Sequence, residues 1–226
     1  VFFGDEEAGS EYGSRYLVKH HPELFNGYSE AVSEVGGFSV TITSGHRLYL
    51  VEGAQKGINW LELSATGTAG HGSFINNDNA VTKIARAVSA VGEYQWPEIE
   101  TKTGAKFWRK IAELVGEKYD PTNVKPLLKY IGPAAKMLGA TIQNSANPTQ
   151  LESGYKVNVI PQKATATIDG RFLPGHEDEL LNTIKKLIGP DVEVNVLVRD
   201  KALEVDFDGP LVEAMIASIK KFDPEA

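Results

Sequence analysis

Apolar and polar positions recur along this chain with periods that change from segment to segment, and the changes mark its elements. Val1-Phe2-Phe3-Gly4 reads as the end of a buried strand running into three consecutive carboxylates, Asp5-Glu6-Glu7. A small, flexible Ala8-Gly9-Ser10 follows, then a helix from about Glu11 to His20 that Pro22 stops. Alternating runs over Phe38–Thr43 and Arg47–Val51 predict a hairpin. Lys56-Gly57 looks like a boundary. Beyond it, Ile58–Thr66 is a strand, ending in a loop of glycines and small residues, Gly67 to Ser73, with His71 at its tip. Asn77-Asp78-Asn79 caps an amphipathic helix whose apolar face is Val81, Ile84, Ala85, Val88 and Val91. Two helical stretches, near Phe107–Tyr119 and Val124–Leu138, are punctuated by Pro121, Pro126 and Pro133. A strand is expected over Ala140–Ser145 and a loop from Asn147-Pro148 to Gly154. Ala164–Phe172 alternates strictly and is a strand. Glu177–Leu187 is a helix, Val192–Val198 another alternating strand, and Leu211–Lys221 a final helix.

Between Gly57 and Arg199 the order is strand, helix, two strands, helix, strand, with a helical insertion. That order predicts a ferredoxin-like antiparallel sandwich, its sheet covered on one face. The chain then falls into three parts: 1–56, the inserted module 57–199, and 200–226, whose helix returns to the first part.

Composition narrows the partners. With 226 residues, a net charge of −7 and no basic cluster, neither nucleic acid nor an anionic membrane surface is expected as a partner. No apolar run approaches the roughly 20 residues of a membrane span. The absence of cysteine means no disulfide framework, so any metal must be held by His, Asp or Glu. It also fits a cytoplasmic protein. The chain opens at Val1 in mid-strand and is expected to be a piece of something longer.

Several stretches can carry chemistry. The Asp5-Glu6-Glu7 run stands where a strand gives way to a helix, the place where α/β proteins collect ligands and metals. Equally, acids at a helix N-terminus meet the macrodipole favourably. Glu34 before Gly36-Gly37 is a turn residue or a ligand, and His71, framed by glycines, is structural or presented to something. His20 and His21 read as exposed residues of a last helical turn. His176-Glu177-Asp178 has a His-x-Asp spacing but lies at a helix start, where a capping role is the simpler reading.

Taken together, Asp5-Glu6-Glu7-Ala8-Gly9-Ser10, Glu34-Val35-Gly36-Gly37, Gly70-His71-Gly72-Ser73 and Asn158-Val159-Ile160-Pro161…Arg171-Phe172-Leu173-Pro174-Gly175 occur in that order. They resemble the dinuclear zinc amidohydrolases of metallopeptidase family 20, which include aminoacylases, carboxypeptidase G, acetylornithine deacetylase and succinyl-diaminopimelate desuccinylase. The resemblance covers essentially the whole chain. It implies that 1–56 and 200–226 are parts of an incomplete α/β catalytic domain, and that 57–199 is a lid, or dimerisation, domain inserted in it.

The resemblance also implies roles. Glu6 resembles the general base, Glu7 a terminal zinc ligand and Glu34 the terminal ligand of a second zinc. His71 resembles the lid histidine that polarises the scissile carbonyl, often across a dimer. Asn158 and Arg171 resemble the pair that holds a substrate carboxylate, a group that a guanidinium grips well. The implied activity is zinc-dependent hydrolysis of the amide bond of an N-acyl amino acid or small peptide with a free carboxylate, by a homodimer. The family's His-x-Asp pair, bridging aspartate and late histidine would lie upstream of Val1 or beyond Ala226. With Glu7 and Glu34 alone, neither zinc has three protein ligands, so this piece by itself is expected to be inactive. The alternative reading is a non-catalytic dimerising α/β module, or a binding protein derived from the hydrolase.

Overall fold

The computed structural model describes residues 2–33 and 38–225, in two units that divide between Gly36 and Gly37. In the first unit, Glu6–Ala8 form a 3-10 turn, helix α1 spans Ser14–His20, and a second 3-10 turn spans Pro22–Phe25. Helix α1 begins later than the sequence suggests because Asp5 Oδ2 takes the Tyr12 N–H at 2.8 Å, holding that stretch as a turn. It ends just before Pro22, as expected. His20 and His21 are exposed, with the Tyr16 ring 4.6 Å from that of His20. The expected strand end at Phe2-Phe3 is not formed: both residues are exposed and outside any strand. An apolar run becomes a strand only where a neighbouring strand accepts its hydrogen bonds.

The second unit runs β1 (Ser39–Thr41), β2 (Arg47–Tyr49), β3 (Ala54–Gln55), β4 (Gly57–Thr66), β5 (Gly70–His71), α2 (Ala80–Glu93), α3 (Lys102–Val115), α4 (Ala135–Gly139), β6 (Ser145–Ser153), β7 (Val159–Ile160), β8 (Lys163–Phe172), α5 (Glu177–Ile188), β9 (Glu193–Asp200), β10 (Leu203–Glu204) and α6 (Pro210–Phe222). Strands β1 and β2 form the expected hairpin, with Val40 opposite Leu48. Four strands make one antiparallel sheet in the order β6-β8-β4-β9. Its first strand (β4) and third (β8) are central, the ferredoxin-like order that the sequence predicts.

Strict alternation gives this sheet two unlike faces. Leu61, Leu63, Ala65, Ala164, Ala166 and Ile168 point to one face and are buried beneath α2 and α5, against Ile84, Ala87, Val91, Leu180 and Ile184. The other face, open to solvent, carries Trp60, Glu62 and Ser64 from β4 and Thr165, Thr167, Asp169 and Arg171 from β8. A second core lies under the insertion, where Trp108, Ile111, Val124, Leu127, Ile131 and Ile142 enclose Ile42 of the hairpin.

Local chemistry explains where the elements depart from expectation. Helix α3 starts at Lys102 because Thr101 caps it, its hydroxyl accepting the Gly104 N–H at 3.0 Å. It stops at Val115 because Gly116 adopts a left-handed φ of 72°. Pro126 and Pro133 break the expected Val124–Leu138 helix into 3-10 turns at Lys125–Tyr130 and Gly132–Ala134, followed by the short α4. The strand expected at Ala140–Ser145 instead begins at Ser145 and continues through Pro148, where a loop was expected. Proline is tolerated there because β6 is an edge strand, bulged between Pro148 and Gln150.

On α2, Asn79 caps as expected, its Oδ1 accepting the Val81 and Thr82 N–H groups. The buried stripe is Ala80, Ile84, Ala87 and Val91. Val81 and Ala85, assigned by periodicity to the apolar face, are exposed. They lie about 100° around the helix from that stripe, so the apolar arc is wider than the sheet can cover. Among the described residues, no helix is long and apolar enough to cross a membrane.

Candidate functional site

The loop after β4 folds back so that β5 pairs with β7, with Gly70 opposite Ile160 and His71 opposite Val159. The Gly72 N–H donates to the Asn158 carbonyl at 2.9 Å, and a Cβ at Gly72 would stand 3.4 Å from the Asn158 backbone. This close approach brings the His71 and Asn158 segments together. Thr68 and Asp78 brace the loop, the Thr68 hydroxyl donating to Asp78 Oδ2 at 2.8 Å, and Asn76 Nδ2 donates to the Thr68 carbonyl at 2.7 Å. Lys83 pairs with Asp78, and its hydrogen bond is the main reason the Asp78 carboxyl is held below its ordinary range.

His71 is exposed. The Ser73 N–H, which can only donate, points at its Nδ1 at 3.3 Å, and the Ser73 hydroxyl lies 2.8 Å from the same atom. Nδ1 is therefore an acceptor, which assigns the proton of the neutral ring to Nε2. An outward Nε2–H is the donor that a carbonyl oxygen would need.

Arg171 lies at the other end of the sheet. Asp169 holds its guanidinium bidentately, with Nε to Oδ1 at 2.6 Å and Nη2 to Oδ2 at 3.1 Å. Arg171 is eight residues along β8 from Lys163, roughly 26 Å at the usual strand rise, and Asn158 lies beyond Lys163. Within one chain, the structure brings His71 to Asn158 but does not bring Asn158 to Arg171.

Beside Arg171, Ser145 of β6 is its direct cross-strand neighbour, and Lys56 Nζ donates to Ser145 Oγ at 3.5 Å. Burial, with the like charge of Arg171 adding to it, lowers Lys56 from an ordinary 10.5 to about 8. Lys56, Ser145 and Asp169 escaped the sequence reading. The available signal was parity: Asp169 and Arg171 are two apart on a strictly alternating strand, and Lys56 shares that parity with Ile58 opposite Arg171.

In the first unit, Asp5 and Ser10 hold left-handed φ angles of 52° and 60°, uncommon for residues with a side chain. The Asp5 carbonyl accepts the Ala8 and Ser10 N–H groups, closing the acidic turn. Asp5 Oδ1 is buried with no partner among the described residues, and Glu6 is exposed. Of Glu7, only the backbone place in this turn is described, and Glu34 lies outside the described residues. Among the described residues, no three His, Asp or Glu side chains are grouped to hold a metal ion. The donors that the resemblance names, Glu7 and Glu34, fall short of the three protein ligands of a catalytic zinc. His176 does stand at the N-cap position of α5, but without a side-chain cap; its Nδ1 meets Glu179 Oε2 at 2.7 Å.

A sequence profile described as a peptidase dimerisation domain matches residues 53–194. The N-fatty-acyl-amino acid synthase/hydrolase PM20D1 of Xenopus tropicalis is 28% identical over 159 residues, 66% of this chain and 30% of that protein. Aminoacylase-1 of Sus scrofa is 24% identical over 174 residues, 77% of this chain and 34% of that protein. The chain thus spans about a third of the length of such relatives. Among solved structures, the M20 family metallo-carboxypeptidase Sso-CP2 of Sulfolobus solfataricus matches with a TM-score of 0.50 at 18% identity, over 75% of this chain and 50% of that one. The di-peptidase Dug1p of Saccharomyces cerevisiae matches with a TM-score of 0.52 at 11% identity, over 82% and 43%. At these identities the two structures speak for the fold.

Proposed function

The chain belongs to the M20 peptidase family through the dimerisation domain at residues 53–194, and on that premise we propose that it is part of a homodimeric, zinc-dependent hydrolase of N-acyl amino acids or small peptides with a free carboxylate. One observation carries this reading: His71 and Asn158 stand together at one end of the four-stranded sheet, and Arg171 stands at the other. No single amino acid spans roughly 26 Å. Each site therefore takes Arg171 from its own chain and His71 with Asn158 from the partner.

The residues divide the chemistry. Arg171, pinned by Asp169, fixes the carboxylate and thereby the place of the amide. The Nε2–H of His71 donates to the scissile carbonyl as negative charge develops on its oxygen. Asn158, beside it, offers a second amide donor. Glu6 takes the proton from the attacking water and returns it to the leaving nitrogen. Bound zinc would acidify that water, with Glu7 and Glu34 supplying one carboxylate each and the remaining ligands coming from outside these residues. A chain without cysteine suits a cytoplasmic enzyme.

The dimer surface joins the outer stripe of α2 to the β6 edge. Val81 is 40% exposed and Leu151 on β6 57%, and Gly92 of α2 lies against Pro148 of β6. An uncovered edge beside an exposed apolar stripe suits pairing with a second copy about a two-fold axis.

Mixing inactive variants of the full-length enzyme tests the reading. If the tip acts in trans, His71→Ala should regain activity on subunit exchange with Arg171→Ala and with Glu6→Gln. Each such heterodimer has one site with both lesions and one intact. His71→Ala should not regain it with Asn158→Ala, because each site then keeps a damaged tip. Recovery with Asn158→Ala, or none with the other two although heterodimers form, would sink the proposal.

A further inference from the structure

Lys56 is half-buried beside another cation, with the Ser145 hydroxyl as its hydrogen-bond partner and no carboxylate in ion-pair reach among the described residues. Burying an ammonium in such company is unfavourable unless an anion joins it. Asp169 cancels the charge of Arg171 and occupies its Nε–Nη2 edge, while Nη1 meets no acceptor among the described residues. The three positions share the open face at one end of the sheet: Ser145 is opposite Arg171, Arg171 is opposite Ile58, and Lys56 precedes Ile58 by two.

We propose that Lys56 Nζ, Ser145 Oγ and the outer edge of the Arg171 guanidinium form one niche for a single carboxylate, with Lys56 supplying the positive charge that Asp169 cancels on Arg171. The inference rests on the reading of Arg171 as the substrate-carboxylate anchor and adds to it a second cation, whose charge is switched by pH. The other charged groups at this end are Asp169 on β8, Asp200 on β9, in register with Ile58, and Lys201 after it. None replaces the ammonium at the hydroxyl.

The sign of the linkage is fixed. A lysine that titrates near 8 when the niche is free is charged at neutral pH, and a bound carboxylate raises its pKa toward the ordinary 10.5. Carboxylate affinity is therefore full below about 8 and falls as pH rises above it, by the factor through which binding shifts the lysine.

The test is NMR of the whole chain labelled at lysine Cε, titrated from acid to alkaline pH with and without N-acetylglycine, with Lys56→Arg to assign the signal. Calorimetry with the same probe and with its methyl ester runs alongside. The expected result is a Lys56 midpoint near 8 that N-acetylglycine, but not the ester, raises by roughly one unit. The equivalent loss of affinity at alkaline pH is about tenfold, and it should vanish in Lys56→Arg. If N-acetylglycine binds, Arg171→Ala abolishes binding, and the Lys56 midpoint does not move, the niche is wrong and the Arg171 anchor survives. If Arg171→Ala leaves both binding and the lysine shift unchanged, the anchor reading is wrong and the niche as drawn falls with it. Absence of any binding overturns both.

Discussion

Asn59 Nδ2 donates to Glu177 Oε1 at 3.2 Å, joining the fully buried β4 asparagine to the first residue of α5. Arg199 holds the same carboxylate from β9, with Nη2 to Oε2 at 2.9 Å. Asn59 Oδ1 has no hydrogen-bond partner among the described residues, so Glu177 is the one such partner of its side chain among them. Glu177→Ala should lower stability by about 1–3 kcal/mol, read as a shift in the urea midpoint, because a buried donor is left unpaired. Glu177→Gln keeps an acceptor and should cost less. The hydrogen bond from Arg199 is the largest cause holding the Glu177 carboxyl below its ordinary 4.5. Its contribution is therefore present above about 4.5 and lost as pH falls through the lower folded value, so acid should erode wild type more than Glu177→Gln.

Asn144 is also fully buried: the Leu173 N–H donates to its Oδ1 at 2.9 Å, and its Nδ2 donates to the His176 carbonyl at 3.3 Å. It fastens the turn between β8 and α5. Asn144→Leu should cost about 2–4 kcal/mol by thermal melting, since it strands one buried donor and one acceptor.

Arg171→Ala should raise KM for free-acid substrates, a loss of about 2–5 kcal/mol in kcat/KM, while esterified substrates lose little. Asp169→Asn loosens the fork but also uncovers the guanidinium's charge, so its change in KM should be much smaller than that of Arg171→Ala, with kcat near wild type. Equal losses for acid and ester would rule out a carboxylate role.

Val81→Glu combined with Leu151→Lys should move the protein from dimer to monomer in sedimentation, with little change in melting temperature, because both side chains are exposed within one chain. A dimer that resists both changes would place the interface elsewhere.

In the full-length enzyme, Glu6→Gln should reduce kcat at least about a thousandfold with bound zinc unchanged by elemental analysis, as expected for a lost base whose neighbours still bind metal. Loss of zinc together with activity would make Glu6 a ligand.

Sequence pattern reveals those parts of this molecule that periodicity or a short motif controls. Strict alternation exposes β4 and β8, and hence which face carries Arg171. Glycines framing His71 mark a loop built for close approach, and a Cβ at Gly67 would indeed fall 2.3 Å from the Asp78 carbonyl. Strand β6 was hidden because Pro148 argues against a strand, and only its edge position makes proline harmless. Val81 and Ala85 count as core by period alone, yet which part of a wide apolar arc the sheet covers is a tertiary fact. Asn158 and Arg171 are close in sequence and far apart in space, because the extended strand between them converts each residue into about 3.3 Å of separation. Lys56 carries no local pattern at all; its meaning comes from Ser145 and Arg171, brought beside it by two other strands.

The register of β8 also limits how this chain can drift. Side chains along it can be exchanged one at a time, but its length cannot. One residue deleted between Lys163 and Asp169 would turn Arg171 to the helix side, into the place of Gly170. There even a Cβ would lie 2.7 Å from the Asn59 carbonyl and 3.1 Å from Leu180 Cδ2. Insertions and deletions should therefore accumulate in the loops and in the 95–142 insertion, while the span from Asn158 to Arg171 behaves as a fixed gauge between two sites.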